Sequence, residues 1–154
     1  MREGLLRVRR VEAFIMPTPP HVPVITCHLE DGRQFNLYYV PLEIVIAINR
    51  MQGGDYDVDR ESVFDILPAL KDELTFLSRR IGNVYIDSID YETMLYSATV
   101  EIKANGLTLR RRMIPSHAVF LALMFDKPIY VKDELVKYQE YLEKSEEFGE
   151  EEER

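Results

Sequence analysis

The side chain with the sharpest chemical consequence in this sequence is Arg111, and counting places it. Asn105-Gly106 is a strong two-residue hairpin turn, which pairs Ala104 with Leu107, Ile102 with Leu109 and Glu101 with Arg110. Arg111 then falls opposite Val100 on the apolar face, while Arg110 and Arg112 point outward. A guanidinium facing a core needs a carboxylate partner or a bound anion. Arg111 is therefore either half of a structural ion pair or an anion site. Further arginines cluster at Arg7/Arg9/Arg10 and Arg79/Arg80. A planar guanidinium can grip phosphate bidentately, although solvated strand and loop charges are the plainer reading of such clusters.

The acids divide in the same way. Glu43 lies in the first turn of a helix, where the dipole favours an acid. Asp65 closes Ser62-Val63-Phe64-Asp65, a capping box with Asp in place of Glu. Asp87, Asp90 and Glu92 gather around one turn and either hold a divalent cation or simply serve the turn. His21, Cys27 and His28 are close in sequence, but Cys27 and His28 face opposite sides of a strand, so no metal site is expected there. The lone Cys27 excludes an internal disulfide, fits a reducing compartment and reads as a small buried residue.

The elements that must position these residues follow from periodicity. Leu5 to Ile15 reads as a strand with Arg7 and Arg9 on one face and Val8 and Arg10 on the other, ended by Pro17-Thr18-Pro19-Pro20. Val22–Leu29 and Gln34–Val40 form a hairpin. A two-residue Asp31-Gly32 turn would separate their apolar faces, so a three-residue loop, Asp31 to Arg33, is expected to bring them together. Pro41 opens a helix to Gln52, stopped by Gly53-Gly54. A polar loop, Asp55 to Arg60, precedes a helix over Ser62–Leu77 that Pro68 should kink or split. Strands are expected over Asn83–Asp90 and Thr93–Lys103, the latter turning Met94, Tyr96, Ala98, Val100 and Ile102 inward. Ala118 to Phe125 is eight apolar residues with no polar face, hence a helix buried nearly all round. Pro115 suits its first turn and Ser116 offers it a capping oxygen. Ile129–Val131 is a short strand, and a last helix from Lys132 to about Glu147 docks through Leu135, Tyr138 and Leu142.

At 154 residues, 46% hydrophobic and 30% charged, the chain suits one globular domain. Of its net charge of −8, residues 143–154 contribute −5, leaving −3 for the remainder. This balance argues against a broad anion-binding surface. Met1-Arg2-Glu3-Gly4 has no signal-peptide pattern and no stretch approaches a membrane span, so a cytoplasmic protein with no membrane partner is expected.

The stretch Ile114–Leu135 resembles the C-terminal signature of the bifunctional nuclease (BFN) domain family. Members read Arg-Pro-Ser-Asp-Ala, then an apolar helix, then Pro-Ile-x-Val. Here Pro115-Ser116, Ala118, Leu121-Ala122-Leu123 and Pro128-Ile129-Tyr130-Val131 match in order and spacing. The family's Gly-x-x-Glu-Ala helix start corresponds to Val40-Pro41-Leu42-Glu43-Ile44, which keeps the acid and loses the glycine. Its Thr-His-Asp-Leu corresponds to Val63-Phe64-Asp65-Ile66, which keeps Asp65 and loses the histidine. Ile114 and His117 stand where the family has an arginine and an aspartate. The similarity spans about residues 10–135.

The resemblance implies an α+β fold with a mixed, mainly antiparallel sheet and a buried central helix. It implies a BFN-like domain over residues 1–135. Glu146-Glu147 and Glu150 to Glu153 sit badly at a helix C-terminus, so the C-terminal helix (136–154) is expected to run into an acidic, disordered tail. Function by resemblance is a metal-dependent nuclease acting on DNA and RNA, assembled as a homo-oligomer (dimer or higher). Phosphodiester hydrolysis needs charge stabilised on the phosphoryl oxygens and a water activated. The catalytic set carried over is His117, Asp65 and Glu43. In it Glu43 and Asp65 ligate Mg or Mn, His117 is the general base, and Arg111 and Ser116 hold phosphate. A histidine at a helix start can equally be structural. The alternative is a non-catalytic oligomeric binding or scaffold protein that keeps the BFN fold without the lost motif residues.

Overall fold

A computed structural model describes the backbone of residues 3–54 and 58–153, with side chains to residue 146. Only residues 58–60 of the expected polar loop fall within that range. In chain order the elements are β1 (Leu5–Ile15), β2 (Pro23–Leu29), β3 (Gln34–Tyr38), α1 (Leu42–Met51), α2 (Val63–Ala69) and α3 (Thr75–Arg80). They continue with β4 (Ile81–Asp90), β5 (Leu95–Ala104), β6 (Leu107–Met113), α4 (Pro115–Phe125), β7 (Ile129–Lys132) and α5 (Asp133–Glu153). The fold is α+β, with one seven-stranded sheet ordered β3-β2-β1-β7-β4-β5-β6. Among the described strand pairs, only β4 and β7 pair in parallel.

Strand β1 belongs to both halves of the sheet. Leu5–Arg7 pair with β7, and Val8–Ile15 pair with β2. The register shifts at Arg9, because Val8 faces Leu29 while Arg10 faces His28. A bulge of this kind adds a residue and bends the strand. It also corrects the simple alternation expected for β1: Val8 and Val11 are buried, with Arg9 and Arg10 both exposed between them. Beyond the bulge, the β2–β3 hairpin joins its apolar sets as anticipated, with Ile25 opposite Leu37 and Cys27 opposite Phe35. The loop that achieves this is Glu30-Asp31-Gly32, one residue earlier than expected. Gly32, at φ +90°, takes the left-handed position of a three-residue loop, and the Leu29 N–H bonds to the Arg33 carbonyl at 2.9 Å.

The 11-residue α4 is the pillar of the core, with Ala118, Val119, Phe120, Ala122, Met124 and Phe125 all buried. Removing a side chain such as Phe120 from water is worth roughly 2 kcal/mol. Helix α4 packs on β4, β5 and α1, while α1 packs on β1 and β2. The sheet curls around these helices until Phe35 of β3 meets Tyr96 of β5 edge-on, ring centres 5.0 Å apart. Pro68 lies near the end of α2, and the single helix expected over Ser62–Leu77 is split into α2 and α3. Met94, expected inward, instead precedes β5 at φ +61° with 43% of its surface exposed.

Helix α5 lies against the outer edge of β3. The Gln139 side chain accepts from the Asn36 N–H (2.7 Å) and donates to the Asn36 carbonyl (2.8 Å). Arg33 adds ion pairs to Asp133 at 2.7 Å and Glu140 at 3.2 Å. The helical backbone continues past the expected limit near Glu147 to Glu153. No described helix is long and apolar enough to cross a membrane.

Candidate functional site

Three helices begin at one place. Helices α1, α2 and α4 pack together, and the Phe64 ring in the first turn of α2 meets the His117 ring in the first turn of α4, 5.6 Å apart and edge-on. Glu43 of α1 and Asp65 of α2 border one small hollow of about 140 Å³. Four of the five residues singled out from sequence therefore lie on the opening turns of adjoining helices. Arg111 is the exception.

Asp65 is committed to its own helix. Its Oδ2 accepts from the Ser62 N–H at 2.9 Å, completing the expected capping box, and lies 2.9 Å from a guanidinium nitrogen of Arg50. Burial opposes the charge, but the Ser62 N–H and Arg50 outweigh it and hold the carboxyl below its usual range. Its Oδ1 is buried with no hydrogen-bond partner among the described residues. That atom and Glu43 are donors a divalent cation could use. Against this, Arg50 already balances Asp65, and no group of three or more potential ligands gathers among the described residues.

Neither Ser116 nor Arg111 borders that hollow. Ser116 is buried at 3% exposure, and α4 has no side-chain cap, so the capping role expected of Ser116 is not observed. Its position inside the first turn, with Ile114 at the cap, explains the difference. Arg111 does sit opposite Val100, as counted. Its side chain is nevertheless exposed, contrary to the core-facing expectation. β6 is the outermost strand, α4 packs on β4 and β5, and Leu107 and Leu109 on the same face are exposed as well. Among the described residues, Arg110, Arg111, Arg112 and Lys132 have no ion-pair partner. They line a polar trough of about 700 Å³ that Tyr85, Thr99, Asp87 and Glu3 complete. The carboxylates at the β4–β5 turn serve structure: Asp87 accepts from the Thr99 hydroxyl, and Asp90 from the Glu92 and Thr93 N–H groups. Cys27 is buried, and desolvation pushes its thiol up to about 12.

Sequence reasoning missed an apolar groove. Where the two ends of the curled sheet approach, a groove of about 700 Å³ runs between Leu37–Pro41, Met94–Ser97 and Arg112–Ser116. Tyr38, Tyr39, Met94, Leu95 and Ile114 line it and remain exposed, Tyr39 by 77%. Tyr39 (φ +56°) and Met94 (φ +61°) both hold left-handed backbone, which costs a non-glycine residue of order 1 kcal/mol and concentrates at functional surfaces. The available signal was the pair Tyr38-Tyr39 running directly into Val40-Pro41. No known family model matches the chain, and no curated protein does either.

Proposed function

We propose that this chain is a BFN-like domain protein that works by binding, as a cytoplasmic homo-oligomer, with the apolar groove as its assembly surface. One observation carries this reading: five large apolar side chains stand exposed around a single groove, two of them on left-handed backbone. A contiguous exposed apolar patch is a docking surface in water. Supporting it, two of the three positions at which a polar residue of the BFN pattern is replaced, Phe64 and His117, meet in an aromatic contact. The test is mass in solution. Light scattering after gel filtration is expected to give a dimer or larger species, and Leu95→Asp, at a 66% exposed site, is expected to give a monomer. A wild-type monomer at all concentrations would overturn the reading.

A second reading has one specific observation in its favour. The partnerless buried Oδ1 of Asp65, beside a hollow that Glu43 also borders, is consistent with a divalent-metal nuclease acting on DNA and RNA phosphodiester bonds. There Glu43 and Asp65 would hold Mg or Mn, and His117 and Ser116 would lie on the neighbouring helix start. Hydrolysis of single- or double-stranded DNA or RNA with Mg²⁺ or Mn²⁺, lost in Glu43→Ala and Asp65→Ala, would establish it. On the binding reading, wild type and both variants are equally inactive.

A further inference from the structure

The two outer strands of the sheet are finished differently. At β3, the Gln139 side chain occupies both backbone groups of Asn36. At the opposite margin, β6 pairs only with β5, in continuous register from Ala104↔Leu107 to Ala98↔Met113, with no bulge. Leu107 through Arg112 are all exposed. An unprotected regular edge of this kind is a template for another strand. Natural edges avoid this with bulges, prolines, covering elements or charged side chains; of these β6 carries only charge, the three arginines at 110–112, so what it admits is selected by charge.

Its side chains specify what would fit. Thr108, Arg110 and Arg112 share the face that borders the polar trough, opposite Lys103, Glu101 and Thr99. Leu107, Leu109 and Arg111 share the other face, opposite Ala104, Ile102 and Val100, with Leu107 65% and Leu109 40% exposed. A strand laid beside β6 alternates its own side chains between these faces. Acidic residues at every second position would meet Arg110 and Arg112, which have no acid partner among the described residues. Aliphatic residues between them would cover Leu107 and Leu109. A second copy is a poor occupant, because full-length antiparallel pairing of β6 with itself sets Arg110 directly against Arg110, and like charges directly opposite are destabilising.

We infer that β6 is a docking edge for an extended protein segment alternating acidic and aliphatic residues, added as an eighth strand. This goes beyond the groove, which shares Arg112 and Met113 with β6, so the oligomer mass of each variant is measured beside its peptide binding and the two readings fail separately. The probe is an acetylated, amidated peptide alternating glutamate and valine, as long as β6, measured by fluorescence anisotropy against the intact protein. Saturable binding is expected, weakening as salt rises. The double variant Arg110→Glu/Arg112→Glu is expected to weaken it about tenfold or more, as exposed ion pairs become repulsions. The same peptide N-methylated at alternate residues keeps its charge but cannot pair its backbone, and its binding to wild-type protein is expected to be lost. Equal affinity for the methylated peptide, or binding of oligothymidylate but not of the acidic peptide, would overturn the proposal.

Discussion

The β3 and β6 margins of this sheet meet the same physical problem with opposite outcomes. Each presents a row of backbone N–H and C=O groups that must find partners in protein or water. At β3 the chain supplies its own cover: Gln139 mimics a neighbouring strand, and Arg33 pins α5 through Asp133 and Glu140. At β6 three successive arginines face water without acid partners among the described residues. One margin is thus part of the core's architecture. The other is a surface held open by charge, which keeps it soluble and selects what approaches.

Breaking the covered margin should have the largest effect. Gln139→Ala leaves the Asn36 N–H and carbonyl without their partners. These half-buried backbone groups cost up to roughly 1–3 kcal/mol each when left unsatisfied, so thermal unfolding is expected about 5–15 °C lower. Arg33→Ala removes two partly exposed ion pairs to α5 and should cost about 1 kcal/mol in urea denaturation. The same contacts make the covered margin acid-sensitive. Arg33 and Lys137 hold the Asp133 carboxyl below its ordinary value of 3.8, and the Arg33 N–H likewise lowers Asp31. Depressed carboxyls stabilise the fold above their unfolded value, and that contribution is lost as pH falls below 3.8 through the folded values. Urea midpoints followed downward from neutral pH should therefore decline in that range, and the decline should be smaller in Arg33→Ala. The open margin should respond least: Arg110→Ala and Arg112→Ala are expected to shift stability by no more than about 0.5 kcal/mol.

Much of this contrast was legible in sequence on one side only. Asn105-Gly106 fixes the β5–β6 register to the residue, because a two-residue turn leaves no slack. What that register does not convey is which strand ends the sheet, so counting alone puts Arg111 over a core that stops at β5. Periodicity also found α4, whose unbroken apolar run admits no surface position. It could not find Gln139, since one polar residue in a helix gives no sign that it will meet Asn36, far away in sequence. The expected catalytic residues show a similar limit. Glu43, Asp65, Ser116 and His117 all lie in the opening turns of helices, but only Glu43 and Asp65 border one hollow, and a first-turn acid and a capping box account for those two without chemistry. Nor could sequence show the groove, which exists only because the sheet curls far enough for Phe35 to reach Tyr96.

Amide hydrogen exchange by NMR on the native protein tests the difference between the margins most directly. The Asn36 amide, bonded to Gln139, should exchange slowly, with alternate amides of Leu107–Met113 exchanging fast and becoming protected when the glutamate–valine peptide is added. Slow exchange along all of β6 in the free protein, or fast exchange at Asn36, would contradict it.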